Sequence, residues 1–419
     1  RYGTVTGVQT CALPISYTTV GEIVAWVIGW DLILEMLMAG SVVSKYWGVY
    51  LNQFFELIGW NINTNIAIGS FNFDLAPVII VAFFTALLVM GTKIGARVDG
   101  ALTILKIAIV VFIVVVGFFY IKAENFTPFI PPSEPAASTD GSGVSAVMEQ
   151  PLWQWATGMA PSIYGVTGII SGAALVFFAF LGFDVVATAS EETINPKKNV
   201  PLGIGVGLGL IIVLYTLVAI VTTGMVSYKD LAKQSDPSLA VAFKMVGADW
   251  AAKIISLGIV IGMATVVMVL LLGLTRVVFA MSRDGLLPRG LSHTGKHGTP
   301  VRLQIIVGVV MALIAACCNV GILSDMVNIG TLSAFTLVAI SIPIMRKKRP
   351  DLERSFKIPG NPWVPILIAL ANLWLMVNLS VLTWIRFVVW LIVGFAIYFG
   401  YGYRHARLGA GELEVAAQE

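Results

Sequence analysis

Ten long apolar blocks constrain the fold of this chain more than any other feature. They lie at about 21–44, 76–95, 100–121, 171–190, 202–225, 251–281, 301–320, 325–345, 362–382 and 384–403. Each is close to the roughly 20 residues that a helix needs to cross the hydrocarbon of a bilayer. Because a helix satisfies its own backbone hydrogen bonds in lipid, the blocks predict an all-α polytopic membrane protein with about ten transmembrane helices.

Composition supports this class and excludes several others. Charged residues make up only 12% of the 419 residues, whereas soluble domains have about 25%. Three cysteines (Cys11, Cys317 and Cys318) and three histidines lack the spacing of a disulfide framework or a metal site. No basic face, phosphate loop or nucleophile–base pair is present. We therefore expect a lipid bilayer as partner, no nucleic acid, no metal or cofactor and no enzymatic activity, with the oligomeric state left open.

The basic residues orient the predicted helices. Loops that alternate along the chain carry 17 Lys and Arg residues on one side of the membrane and 7 on the other. Because cytosolic loops are enriched in Lys and Arg, both termini are predicted to be cytosolic.

The first 16 residues, RYGTVTGVQTCALPIS, do not match the rest of the chain. They are not apolar and have no signal-peptide core. They resemble a translated sequencing adaptor joined to a reading frame, although an ordinary polar tail is the alternative. The expected organisation is an adaptor-like leader at 1–16, a membrane domain at 17–405 and a short cytosolic tail at 406–419.

One apolar block breaks its own pattern, at FFAFLGFDVVATASEETINPKKNVP, residues 177–201. Gly182 weakens the helix, and Asp184 places a carboxylate inside the block at a cost of roughly 3 kcal/mol. Secondary transporters use such discontinuous helices to bind substrate. The alternative for Asp184 is a packing or capping carboxylate. Glu191 and Glu192 follow at the cytosolic end, where we expect them to be structural and paired with nearby lysines.

Ionisable residues in two further blocks are candidates for function. Asp31 and Glu35 lie one helical turn apart on the same face. Together they suggest a cation-binding or proton-titrating surface, although we favour a structural hydrogen bond for Asp31 beside Trp30, with only Glu35 pointing inward. Lys106 lies two turns inside a helix, near the limit from which a lysine can reach the membrane surface. It could therefore snorkel, or exchange a proton from a buried position.

Two apolar features have structural interpretations. Met268, in the block at 251–281, is on composition more often a core residue than a ligand contact. Four alternating glycines superficially resemble a nucleotide loop, but they lie inside a membrane block with no strand before them. They therefore predict close helix packing: Gly203, Gly205, Gly207 and Gly209.

Five segments in order resemble the amino acid–polyamine–organocation (APC) superfamily, most closely its bacterial cationic amino acid transporter branch. They are GWDLILE, VDGALTILK, FFAFLGFDVVATASEETINPKKNVPLGI, FAMSRDGLLP and RKKRPDLERSFKIPGNPWVP. The resemblance implies a five-plus-five inverted repeat followed by two helices, in the plasma (inner) membrane. It also implies that the first block is the family's third helix, so that the first two helices, with half of the substrate site, are missing.

The resemblance assigns roles to particular positions. The unwound sixth helix of the family matches Phe178, Ala179, Phe180 and Leu181, whose backbone would receive the amino group of the substrate, with Phe178 as a lid. Glu35 matches the third-helix acid of the branch, and Met268 lies on the eighth helix near the side-chain pocket.

Two positions are predicted to couple transport to protons. Lys106 matches the fifth-helix lysine that replaces a sodium ion in proton-coupled relatives, and Asp184 matches an acid just beyond the helix break. The prediction is a proton-coupled amino acid permease that works by alternating access. Because Met268 is apolar and bulky, we expect a compact neutral substrate rather than arginine. An exchanger without proton coupling, a nutrient sensor and an inactive fragment are the alternatives.

Overall fold

The computed structural model describes residues 22–60, 64–68, 71–91, 96–136, 144–182, 195–234, 237–293, 299–348 and 360–405. The predicted leader, the predicted tail, Asp184, Glu191 and Glu192 therefore lie outside the described residues.

Helices make up most of the described chain. The α-helices are α1 Glu22–Leu57, α2 Leu75–Val89, α3 Ala96–Phe118, α4 Val144–Glu149, α5 Leu152–Thr157, α6 Gly165–Val176, α7 Pro196–Met225, α8 Tyr228–Ala232, α9 Leu239–Met245, α10 Asp249–Arg283, α11 Val301–Cys317, α12 Val320–Lys348, α13 Trp363–Val377, α14 Val381–Ile397 and α15 Tyr403–His405. Two short antiparallel pairs join strands β1 Asn65–Ile68 with β2 Phe71–Asp74, and β3 Glu134–Pro135 with β4 Ser162–Ile163.

The predicted membrane blocks correspond to helices. Within the described residues, six helices are long and apolar enough to cross a bilayer: α1, α3, α7, α10, α12, and α14 with its extension to His405. Four shorter apolar helices, α2, α6 (to Phe180), α11 and α13, match the remaining blocks. The prediction of an all-helical polytopic membrane protein is confirmed.

Helix α1 lies at the centre of the bundle, in contact with α2, α10, α11, α12 and α14. Small residues allow these close approaches: Gly40 lies against Met311 of α11, and Gly48 lies against Ala76 of α2. With 36 residues, at about 1.5 Å of rise each, α1 is longer than the hydrocarbon is thick. Its last turns accordingly leave the bundle and contact α9.

Short elements cover this end of the bundle, which we call the loop end (β1–β4, α4, α5, α8 and α9). Lys244 of α9 forms an ion pair with Glu56 of α1 at 2.8 Å. The hydroxyl of Ser238 donates to Oε1 of Gln53, also at 2.8 Å. The loop end is thereby joined to the central helix.

Helices α3 and α7 lie at the periphery and fully bury few of their apolar side chains. Most apolar side chains of α7 are exposed, including Val206 and Val213. The predicted close packing at Gly203, Gly205, Gly207 and Gly209 is wrong, because among the described residues a Cβ at any of them would have nothing within 4 Å. Glycines at other positions do pack closely, as on α1.

Gly48 provides a test of the packing. A Cβ at this position would stand 2.6 Å from the Cβ of Ala76, which cannot move without the backbone of α2. For Gly48→Ala we expect the free energy of unfolding to fall by about 1–2 kcal/mol, after the better helix propensity of alanine is subtracted.

The measurement is thermal or denaturant unfolding in detergent, with Gly205→Ala as the matched control. Because space around Gly205 is open, that variant is expected to be as stable as the parent or up to about 1 kcal/mol more stable. Equal destabilisation of both variants would contradict the packing argument.

Candidate functional site

The main candidate site is a break in the helix that begins with α6. After Val176 the chain tightens into a 3₁₀ turn, Phe177–Phe180. The turn ends at Phe180, Leu181 is extended, and Gly182 follows with a φ of +112°, a conformation that only glycine adopts readily. The local break that the sequence pattern predicted at these residues is therefore present.

The break changes which backbone groups are bonded within the helix, because 3₁₀ hydrogen bonds join residues one position closer than α-helical ones. The amide of Leu181 donates to the carbonyl of Phe178 at 3.1 Å. Side chains from two other helices donate hydrogen bonds to backbone carbonyls of this segment. Tyr215 of α7 donates its hydroxyl to the carbonyl of Ala179 at 2.9 Å, and the Nδ2 of Asn328 of α12 donates to the carbonyl of Leu175 at 3.0 Å.

Aromatic contacts hold the same segment. The ring of Phe180 meets the ring of Tyr215 edge-on with centroids 5.3 Å apart. The ring of Phe177 meets that of Phe335 of α12 in the same way at 6.1 Å. The break is thus held between a peripheral helix, α7, and a helix packed against the centre of the bundle, α12.

Tyr215 and Asn328 were not identified by sequence analysis. Their partners lie 36 and 153 residues away in the chain. No local pattern marks either residue, except that a single asparagine inside an apolar helix needs a polar partner.

Three of the predicted substrate-contacting residues pack against the same apolar core. Phe178 and Leu181 are half-buried against the main apolar core, and Met268 of α10 packs against that same core. Ala179 is exposed. The break and the middle of α10 therefore both pack against this core.

Lys106 lies on α3, half-buried, and its side chain crosses a glycine of α10. A Cβ at Gly262 would stand 3.2 Å from the Cγ of Lys106. One turn earlier, the side chain of Ile109 packs against Gly258 in the same way. The spacing Gly258-x-x-x-Gly262 is a small-residue packing motif, and it is the signal in the sequence that could have identified the helix facing Lys106.

Asp31 and Glu35 on α1 are both completely buried. The expectation that only Glu35 points inward is therefore wrong. The polar neighbour of the Asp31 carboxyl group among the described residues is the hydroxyl of Ser333 on α12. Asp31 is one turn from Glu35 on the central helix, so the helices that pack against α1 enclose this acidic face.

A group of side chains at the loop end fixes the start of α6. Lys229 of α8 forms an ion pair with Glu134 at 2.7 Å and lies 5.4 Å from the ring centroid of Tyr164. The hydrogen bond that Lys229 donates to the Glu134 carboxylate raises the pKa of Lys229, so this lysine stays charged throughout the physiological range. Tyr164 precedes α6 with a φ of +63°, a strained conformation for an aromatic residue.

In the described part of the chain, the cavity lies away from the predicted site residues, and no metal-binding group is formed. A cavity of about 520 Å³ opens between the loop ends of α3 and α7 and includes none of the predicted site residues. Among the described residues, no three His, Cys, Asp or Glu side chains are placed to hold a metal ion.

These features define a polytopic helical membrane protein in which one apolar helix ends in a 3₁₀ turn held at the edge of the core. The sequence profile described as amino acid permease matches residues 12–400, and the chain belongs to this family. It is 40% identical over 403 residues to the branched-chain amino acid permease BcaP of Bacillus subtilis, covering 94% of this chain and 79% of the relative.

Other similar proteins are named for different substrates. The methylthioribose transporter of Bacillus subtilis is 39% identical over 401 residues, with the same coverage of 94% and 79%. The mitochondrial cationic amino acid transporter 3 of Arabidopsis thaliana is 34% identical over 345 residues, which are 81% of this chain and 52% of the relative. All are permeases or transporters, so the protein is a transporter and not an enzyme.

The hydrogen bond from Tyr215 can be tested directly. Tyr215→Phe keeps the ring against Phe180 but removes the donor to Ala179. A net hydrogen bond contributes about 1 kcal/mol, so we expect hydrogen–deuterium exchange at 178–181 to rise about fivefold.

The control for this measurement is Thr216→Val. The hydroxyl of Thr216 bonds only within α7, to the carbonyl of Ile212 at 2.8 Å, and its loss should leave exchange at 178–181 unchanged. An unchanged rate in Tyr215→Phe would show that the break is held by other contacts.

Proposed function

We propose that this protein is a secondary active amino acid transporter that couples uptake to protons by alternating access. Membership of the amino acid permease family supports amino acid transport. The observation that carries the proposal is the break at Phe177–Phe180, because discontinuous helices present backbone groups to substrates inside a membrane.

The proposed transporter domain is 17–405, placed in the plasma (inner) membrane with both termini in the cytosol. The 17 to 7 distribution of Lys and Arg between alternate loops supports this orientation. The loop end would then face the outside. Lys229 and Glu134 would lie on that side, near the N-terminal end of α6.

The proposed substrate contacts are the backbone of the segment Phe178, Ala179, Phe180 and Leu181, which would receive the amino group. Phe178 would close over the substrate as a lid. Met268 would line the side-chain pocket from α10. Glu35, buried in α1, would adjust the polarity of the pocket or contact a cationic side chain.

The proposed proton-coupling residues are Lys106 and Asp184. The stem of Lys106 lies on Gly262 of α10, the helix that also carries Met268. A proton exchanged at Lys106 would therefore change the charge between α3 and the helix that lines the pocket. The role of Asp184 rests on its position just beyond the break.

The proposed substrate class is that of compact neutral amino acids. The apolar Met268 favours an apolar side chain over a guanidinium, and the similarity to two branched-chain amino acid permeases agrees with that choice. The cationic amino acid transporters among the relatives make arginine the natural competitor to test.

Radiolabelled uptake into proteoliposomes tests the substrate class. At equal concentration we expect leucine uptake to exceed arginine uptake by about tenfold or more, the difference that one unfavourable buried charge produces. Empty liposomes are the control. Arginine uptake equal to or above leucine uptake would contradict the neutral-substrate proposal.

Lys106→Met tests proton coupling, because methionine keeps an unbranched stem over Gly262 while removing the charge. We expect stimulation of uptake by an inward proton gradient to disappear while substrate binding persists. Lys244→Ala, which removes a surface lysine paired with Glu56, is the control and should keep the gradient dependence.

An unchanged pH profile in Lys106→Met would overturn the coupling role. If uptake by the parent protein were independent of the gradient and stimulated by substrate inside the vesicles, the protein would be an exchanger.

A further inference from the structure

A buried amide next to the helix break uses its nitrogen, but not its oxygen, in the hydrogen bonds of the described residues. Asn328 on α12 is completely buried. Its Nδ2 donates to the carbonyl of Leu175 at 3.0 Å. Its Oδ1 is also buried and, among the residues that the structure describes, has no hydrogen-bond partner.

The orientation of this amide follows from its one bond. The carbonyl of Leu175 can only accept a hydrogen bond, so the nitrogen of the Asn328 side chain must face it. The oxygen, attached to the same carbon, therefore points away from Leu175. A buried acceptor without a donor is unfavourable, and native proteins rarely leave one without a ligand or water to satisfy it.

The oxygen is close to the break. Leu175 precedes the exposed Ala179 by one helical turn on α6 and its 3₁₀ extension. Two turns beyond Asn328 on α12, on the same face, Phe335 packs on Phe177. One face of α12 thus lies along the break, and Asn328 is a polar residue on that face.

We propose that Asn328 is a specificity-determining residue whose Oδ1 accepts a hydrogen bond from the α-ammonium group of the substrate, while its Nδ2 holds the carbonyl of Leu175. The inference rests on the proposed function and names one side chain that the sequence resemblance did not assign. A neutral amide can accept from an ammonium group without placing a second fixed charge in the bilayer, where charges are costly.

The test compares leucine with 4-methylpentanoate, which has the same side chain and carboxylate but no amino group. Both compete with labelled leucine for binding to the purified full chain. In Asn328→Ala we expect leucine to bind about tenfold more weakly, the effect of losing a hydrogen bond to a charged group. The affinity for 4-methylpentanoate should stay the same, so the ratio of the two affinities falls about tenfold.

Asn328→Asp separates the two roles of the amide, because it keeps an acceptor at the Oδ1 position but replaces the nitrogen. We expect this variant to keep or increase the preference for leucine, even if the loss of the donor to Leu175 slows transport. Thr336→Val is the control for burial on α12. The hydroxyl of Thr336 bonds within the helix, to Leu332 at 2.7 Å, so its loss should leave the ratio unchanged.

The proposal is overturned if Asn328→Ala weakens both compounds equally, which would make Asn328 a structural support for the break. It is also overturned if neither affinity changes, since a water molecule would then satisfy the oxygen. If Asn328→Ala does not fold, a lowered preference for leucine in Asn328→Asp overturns it. Failure of the parent protein to bind leucine or any other amino acid would overturn the proposed function and this inference together.

Discussion

Everything in this structure depends on one constraint of the bilayer, that backbone polar groups must find partners within the protein. A regular helix meets that demand alone, so the described membrane blocks are helices. The interesting exception is the break after α6, where regular bonding stops. Here the carbonyls of Leu175 and Ala179 are bonded by side chains of two other helices, Asn328 and Tyr215. An irregular backbone is possible at this point because neighbouring helices complete its hydrogen bonds.

The same constraint explains the central position of α1. Carboxylates such as Asp31 and Glu35 are costly in lipid, and the helix that carries them is the one that other helices surround. Close packing then depends on small residues, because hydrocarbon provides no hydrophobic driving force between helices. Gly40 and Gly48 on α1, and Gly258 and Gly262 on α10, serve this purpose.

The number and type of helices could be predicted from sequence, because apolar block length translates directly into a helix across the membrane. The position of the break was also predictable, since Gly182 interrupts an apolar run. The bonds that hold the break were not predictable: Asn328 and Leu175 are 153 residues apart. The glycines of α7 were misinterpreted because spacing alone does not reveal whether another helix faces them, and the burial of Asp31 was missed for the same reason.

The hydrogen bond from Tyr215 has a mechanical consequence. Helix α7, which donates it, exposes most of its apolar side chains and is among the helices least covered by the rest of the protein. Helices adjust their tilt to the thickness of the bilayer, and a peripheral helix is freer to do so than the enclosed α1. A change in tilt of α7 would pull on the carbonyl of Ala179. The thickness of the surrounding bilayer would therefore affect the backbone conformation of the break.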